Sequence, residues 1–268
     1  MLKKLIRYDF RSTWREFAAI YLAILLGVTV FPFIAKNVSN NVINGFMGLI
    51  AFAIVVATFV VTIGSLFKIF NKNIYSAEGY LTMTLPVTET QIVASKLIVS
   101  TAWIVLTGAV ATLGMFLFVS VMSPEVVPQM LEALGQVLAA LDGRSVFAIL
   151  LLILFLVALV LQEVAKLFLA CAIAHLKQLN RFRIPAGIAS FFLFTWLEAL
   201  VVDAVGWDAN FAIGGPGAMN TECGAKNIIT NLDSFITTLE IGTLFQLGFT
   251  VLFAAGIIYL LKRKLNLD

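Results

Sequence analysis

The sequence predicts an all-α integral membrane protein: six transmembrane helices behind an N-terminal amphipathic helix at the membrane interface, in one transmembrane domain over residues 1–268. Three observations lead there. Of the 268 residues, 61% are hydrophobic and 12% charged, roughly half the charge of an ordinary soluble domain. The apolar residues gather in long runs, each near the ~20 residues that cross a hydrocarbon core of about 30 Å. The basic residues collect on alternate connections between those runs, as the positive-inside rule requires. Helices are the form such runs must take, because lipid offers an unpaired backbone amide no partner. The runs also lack the two-residue alternation of a barrel strand.

The leader, residues 1–16, reads "MLKKLIRYDFRSTWRE". Leu2, Leu5, Ile6, Phe10 and Trp14, continued by Phe17, fall on one helical face; Lys3, Arg7, Arg11 and Arg15 fall on another. That is the pattern of a helix lying flat in the interface, apolar side in lipid and basic side toward anionic headgroups. Each basic residue so placed contributes about 1 kcal/mol. The first span covers residues 17–35. It is longer than the apolar region of a cleavable signal peptide and no A-x-A-like site follows it, so it reads as retained. The second span covers 45–70.

The third span, 92–122, would run about 46 Å as a single helix, so its first turns must project from the bilayer or tilt strongly. Thr88, with Gln91 three residues on, fits a capping box opening that helix. The connection 123–144 sets Met130, Leu131, Leu134, Val137, Leu138 and Leu141 at helical spacing, which predicts a short amphipathic helix on the outer surface. Spans four to six follow at 146–174, 186–205 and 239–261. The long connection 206–238 reads either as a solvated connector or as a lid or re-entrant segment.

Charge sets the orientation. Lys3, Lys4, Arg7, Arg11 and Arg15 precede the first span; Lys68, Lys72 and Lys96 flank the second connection; Lys177, Arg181 and Arg183 hold the fourth; Lys262, Arg263 and Lys264 close the chain. Each remaining connection has one basic residue, Lys36, Arg144 or Lys226, and Lys166 lies within a span. Both termini are therefore expected in the cytoplasm and the protein in the plasma membrane. The net charge of +3 belongs to topology and does not point to nucleic acid. On this topology Cys171 and Cys223 lie toward opposite faces and should not pair with each other; a bond from Cys223 to a partner chain would need an oxidising outer face.

Soluble-type catalysis has little to work with. There is no G-x-x-x-x-G-K-[ST] phosphate loop, and the single histidine, His175, excludes a two-histidine zinc site. No catalytic residue and no metal ligand is expected. Within the spans, Glu163 and Lys166 are three residues apart and able to pair on one helix face, with Gln162 beside them. Glu198 lies deep in span five, with Asp203 beyond it; it is either satisfied by neighbouring helices or functional. Glu240 would favour the N-terminus of the last helix.

The polar interruption "NKNIYSAEGYLTMTLPVTETQIVASKL", residues 71–97, then stands out. Glu78-Gly79 permits a turn, Tyr80, Leu81, Met83 and Leu85 supply a small apolar surface among Thr82 and Thr84, and Pro86 ends the run. A cytosolic knuckle of this kind reads either as a tight solvated connector or as a surface that docks into a groove on another protein. The runs Glu78–Thr82 and Thr84–Val87, with Lys96 following, resemble the cytosolic connection after the second span of bacterial ABC-2-type permeases, the membrane subunits of ABC exporters. The basic leader and the six-span pattern extend the likeness.

That resemblance implies an ABC-2/type V exporter-like fold, a second permease subunit (identical or paralogous), and two ABC ATPase subunits on separate chains. ATP and Mg would be bound by those partners, with no cofactor here. It also implies that Glu78, Gly79, Tyr80, Leu81, Thr82, Met83, Thr84, Leu85 and Pro86 form the coupling helix, with His175, Lys177 and Arg181 as a second ATPase contact. The leader becomes the connecting helix. Phe52, Phe59, Ser65, Phe191, Thr195 and Glu198 become pathway positions for an amphipathic cargo such as a drug, lipid or antimicrobial peptide. Two other classes stay open: an intramembrane enzyme, and a membrane scaffold or sensor subunit.

Overall fold

The computed structural model of the chain describes residues 2–37, 41–75, 88–139, 141–176, 182–204 and 232–263. Among these residues there are seven helices and no strand: α1 (Leu2–Asn37), α2 (Asn41–Tyr75), α3 (Glu89–Met122), α4 (Val126–Ala139), α5 (Gly143–Ala174), α6 (Arg183–Ala204) and α7 (Leu232–Arg263). Five stretches are long and apolar enough to cross a membrane, Leu2–Ile34, Glu89–Met122, Gly143–Ala174, Arg183–Ala204 and Phe235–Lys262. In α2 the described apolar stretch is Val56–Ile69. The chain is an all-helical, membrane-embedded protein. The helices gather into two compact units, Met1–Ala140 and Leu141–Asp268.

In the first unit, α1 is one uninterrupted helix of 36 residues, about 54 Å at 1.5 Å per residue. No glycine or proline stands between Leu2 and Phe17, so nothing breaks the ladder where a separate connecting helix was expected to end. The leader's apolar face also has a protein partner. Phe17 packs in a core with Ile20, Ile24, Leu66, Val99 and Trp103, and Ile6 adds to it from the leader. α1 thus carries the leader on into the first span without a break, packed along α3, while Lys3, Lys4, Arg7, Arg11 and Arg15 stay exposed.

The packing of α1 on α3 keeps a constant register. Asp9 meets Lys96, Phe17 stacks on Trp103, Tyr21 bonds Thr107 at 3.0 Å, and Val28 lies over Gly114. Each pair is 86 or 87 residues apart, so the two helices run side by side in the same direction. α2 returns along α1, where Ser65 and Lys68 donate to Glu16 at 3.1 and 3.3 Å. α3 opens as the sequence predicts: Thr88 is the N-cap and its hydroxyl accepts from the Gln91 amide. The helix then runs 34 residues without a break. α4 forms where the outer amphipathic helix was expected, with Met130, Leu131, Leu134 and Leu138 exposed.

In the second unit α5 and α6 form an antiparallel pair. Ala174 lies against Gly187, where an added Cβ would come within 3.3 Å of the alanine methyl, and twelve residues back along α5 Gln162 meets Glu198. α7 packs on α5 at Gly256 and Leu169, and its Phe253 ring sits 5.6 Å from Phe194 of α6. Small residues at these crossings let the backbones approach, the usual basis of helix association in lipid. The hydroxyls of Ser190, Thr195, Thr243 and Thr250 each donate to the carbonyl four residues earlier, which satisfies them inside apolar surroundings. α7 begins at Leu232, so Glu240 lies inside the helix and not at the N-terminus it was expected to open.

Candidate functional site

Among the described residues, the buried charged side chains fall into two assemblies. The first ties the leader to the start of α3. Asp9 sits on the leader's otherwise apolar face, and Lys96 lies two turns into α3. Their side chains are 1% and 2% exposed, with Lys96 Nζ 2.5 Å from Asp9 Oδ1. Ser95 donates to Asp9 Oδ2 at 3.3 Å, so both carboxylate oxygens have a donor. Two helical turns further along α3, Trp103 stacks with the rings of Phe10 and Phe17, centroids 4.3 and 4.4 Å away and nearly parallel. Its indole N–H donates to Thr13 Oγ1 at 2.8 Å, and the same hydroxyl donates to the Asp9 carbonyl at 3.0 Å. Removing one member of a buried ion pair strands the other charge, so this clamp holds or fails as a whole.

The second assembly joins α5 to α6. Lys166, 1% exposed, donates to Glu163 at 2.8 Å and to Glu198 Oε2 at 2.6 Å, and its ammonium lies 5.4 Å from the centre of the Phe191 ring. Gln162 Nε2 donates to Glu198 Oε1. Both Glu198 oxygens thereby accept from α5, and the side chain is 13% exposed. Glu163 differs. Its side chain is 45% exposed, and among the described residues Lys166 is its partner. The pairing of Glu163 with Lys166 follows from their three-residue spacing; the bond across to Glu198 required the hairpin.

Of the residues expected along a pathway, Phe191, Thr195 and Glu198 share α6. Phe191 meets Lys166, whereas Thr195 is exposed and bonded back to its own helix. Phe52, Phe59 and Ser65 lie on α2 of the other unit; the two phenylalanines are exposed and Ser65 is buried against Glu16. Glu78–Pro86, Lys177, Arg181 and Cys223 lie outside the described residues. His175 caps α5, with Nδ1 2.9 Å from the Cys171 carbonyl. Cys171 is buried with a free thiol. Among the described residues no group of three or more His, Cys, Asp or Glu gathers as metal ligands would.

The sequence did not single out Asp9, Phe10 as a ring partner, or Trp103. The signal was present: an acid at the apolar face of a basic leader, and a lysine early in an apolar helix, each in need of the other. No protein-family model, no curated protein and no solved structure matches this chain.

Proposed function

We propose that the chain is the permease subunit of an ATP-driven ABC-2-type exporter, crossing the plasma membrane six times with both termini in the cytoplasm. It forms the cargo path and receives its power stroke from separate ATPase subunits. The observation that carries this reading is the run Glu78–Pro86 together with what it adjoins. In sequence it comes just before α3, whose first turns are clamped to the leader by the Asp9–Lys96 pair and the Phe10–Trp103–Phe17 stack. A load applied at Tyr80 or Leu81 would enter two long helices at once, because α1 and α3 keep one register from Asp9–Lys96 to Val28–Gly114. Such a lever suits a protein that carries no nucleotide-binding motif of its own.

In this mechanism, closure of the ATPase dimer on ATP displaces the 78–86 segment, with the connector at His175, Lys177 and Arg181 as the second contact. The helical units then rock from inward-open to outward-open, and ATP supplies the free energy. The cargo is amphipathic, in keeping with the apolar spans, and a second permease subunit completes the path. Purification from native membranes in mild detergent should bring down a polypeptide that binds ATP. Tyr80→Asp and Leu81→Asp should then release it or abolish cargo-stimulated hydrolysis. Full association and transport with both changes in place would remove the coupling assignment, and a transporting complex without any ATPase would remove the exporter reading.

A further inference from the structure

We propose that α4 lies in the headgroup layer of the bilayer with its apolar face among the acyl chains, and that the lipid it takes there is zwitterionic rather than anionic. The inference rests on the membrane class of the chain and not on the exporter reading.

The helix is built for a partner that the described chain does not supply. At about 100° per residue, Val126, Val127, Met130, Leu131, Leu134 and Leu138 fall within an arc of about 140° that holds no polar residue. Gln129, Glu132 and Gln136 occupy the opposite arc. A helix of 14 residues is marginal in water by itself. Every residue from Pro128 to Gln136 is exposed, so among the described residues nothing covers the apolar arc there.

The flanking elements name the partner. α4 is joined to α3 by a hydrogen-bonded turn, in which the Val126 amide donates to the Ser123 carbonyl at 3.0 Å. α3 is apolar to its last residue at that end, with Met115, Leu117, Phe118 and Met122 exposed. On the other side α4 ends at Ala139 and α5 begins at Gly143, with Phe147 and Leu150 exposed. Both neighbours are long and apolar enough to cross a membrane, and each short linker reaches at most about 14 Å. Consecutive crossings leave and re-enter the same face, so a helix of about 21 Å tied at both ends this closely is kept at the bilayer surface. A second copy of the chain fits less well. An arc of this size on a helix about 11 Å across offers roughly 300 Å², against about 800 Å² per partner in a stable dimer.

Charge selects the lipid. Interfacial helices commonly set Lys and Arg on the polar face to meet anionic headgroups, as the five exposed basic residues of the leader could. α4 has none. No basic residue stands between Lys96 and Arg144, while Glu125, Glu132 and Asp142 are acidic. Its hold on the bilayer therefore comes from apolar burial alone, and an anionic surface repels it.

The test uses the full chain in nanodiscs of phosphatidylcholine, in a Cys223→Ser background with the buried Cys171 left in place. One nitroxide at a time is attached at Leu131→Cys, Leu134→Cys, Gln129→Cys or Gln136→Cys, all exposed positions. Power saturation then compares collision with oxygen, which concentrates among acyl chains, and with a water-soluble nickel chelate. The oxygen-to-nickel ratio should be severalfold higher at the two leucine positions than at the two glutamine positions. Equal ratios would mean a solvated helix, and poor access of both reagents to the leucine positions would mean a covering protein; either result overturns the proposal. Replacing half the lipid by phosphatidylglycerol should leave the ratio at Leu134→Cys unchanged or lower it, and a severalfold rise would overturn the zwitterionic preference. A second measurement leaves α4 unlabelled: hydrogen exchange over residues 128–138 should quicken severalfold in Leu134→Glu, and unchanged exchange counts against a lipid seat. None of these outcomes depends on an ATPase, so their failure leaves the coupling reading standing, and failure to recover an ATPase leaves this result intact.

Discussion

Asp9 and Lys96 are the residues on which the first unit depends most sharply. Burying two charges is costly, and the pair is retained because each offsets the other while Ser95 fills the remaining oxygen. Asp9→Asn or Lys96→Met alone should therefore destabilise the protein by about 3–5 kcal/mol, because either change strands a buried charge. The double variant Asp9→Leu/Lys96→Met should recover most of that loss. Thermal unfolding of the purified protein in detergent reads both; a double variant no better than the worse single one would show that the pair does more than balance charge. Trp103 is the companion case. Its ring has no exposed surface and stacks with two aromatic neighbours, so Trp103→Ala should cost about 3–5 kcal/mol, whereas Trp103→Phe keeps the stack and loses the bond to Thr13. At this scale the sequence was half legible. Spacing on one helix made the Glu163–Lys166 contact readable, but Asp9–Lys96 and Lys166–Glu198 bridge positions 87 and 32 residues apart, and no local period encodes such a pairing.

At the level of elements, hydropathy placed the helices well because lipid removes the alternatives: every backbone amide in a span must bond within its own helix, so a long apolar run has one solution. The predicted cap at Thr88 and the α4 amphipathic helix followed from chemistry equally local. The leader was harder, because an amphipathic helix presents the same face to lipid as to another helix. The structure gives that face a partner on α3 and carries the leader into the first span without a break. Helix contacts in lipid rest on close approach rather than on a hydrophobic drive, which gives Gly187 a definite role. A side chain there would press on Ala174, and the nearest other atom is the Ala170 carbonyl. Gly187→Leu should force α5 and α6 apart at that end and destabilise the second unit by about 1–3 kcal/mol. Gly108 serves as the control, since open space surrounds its Cβ position and Gly108→Leu should be nearly neutral. Equal losses from both substitutions would mean that the α5–α6 approach at Gly187 matters little.

For the whole molecule, the orientation of the chain is the premise that the coupling mechanism cannot do without. The 78–86 segment has to meet the ATPase on the same face as the leader and the C-terminal Lys262, Arg263 and Lys264. The basic residues divide that way, with Lys36, Arg144 and Lys226 left singly on the other connections, and the parallel course of α1 and α3 agrees with it, since first and third crossings share a direction. The two cysteines make the arrangement measurable. Cys171 is buried and should stay unreactive in the folded protein. Cys223, in the connection 206–238, should react with a membrane-impermeant maleimide added to intact cells. In a Cys223→Ser background, a thiol introduced by Ser76→Cys should react only after the membrane is opened. Labelling of Ser76→Cys from outside intact cells would put the Tyr80–Leu85 surface beyond the reach of any cytosolic motor. The constant α1–α3 register would then describe a rigid membrane anchor rather than a lever.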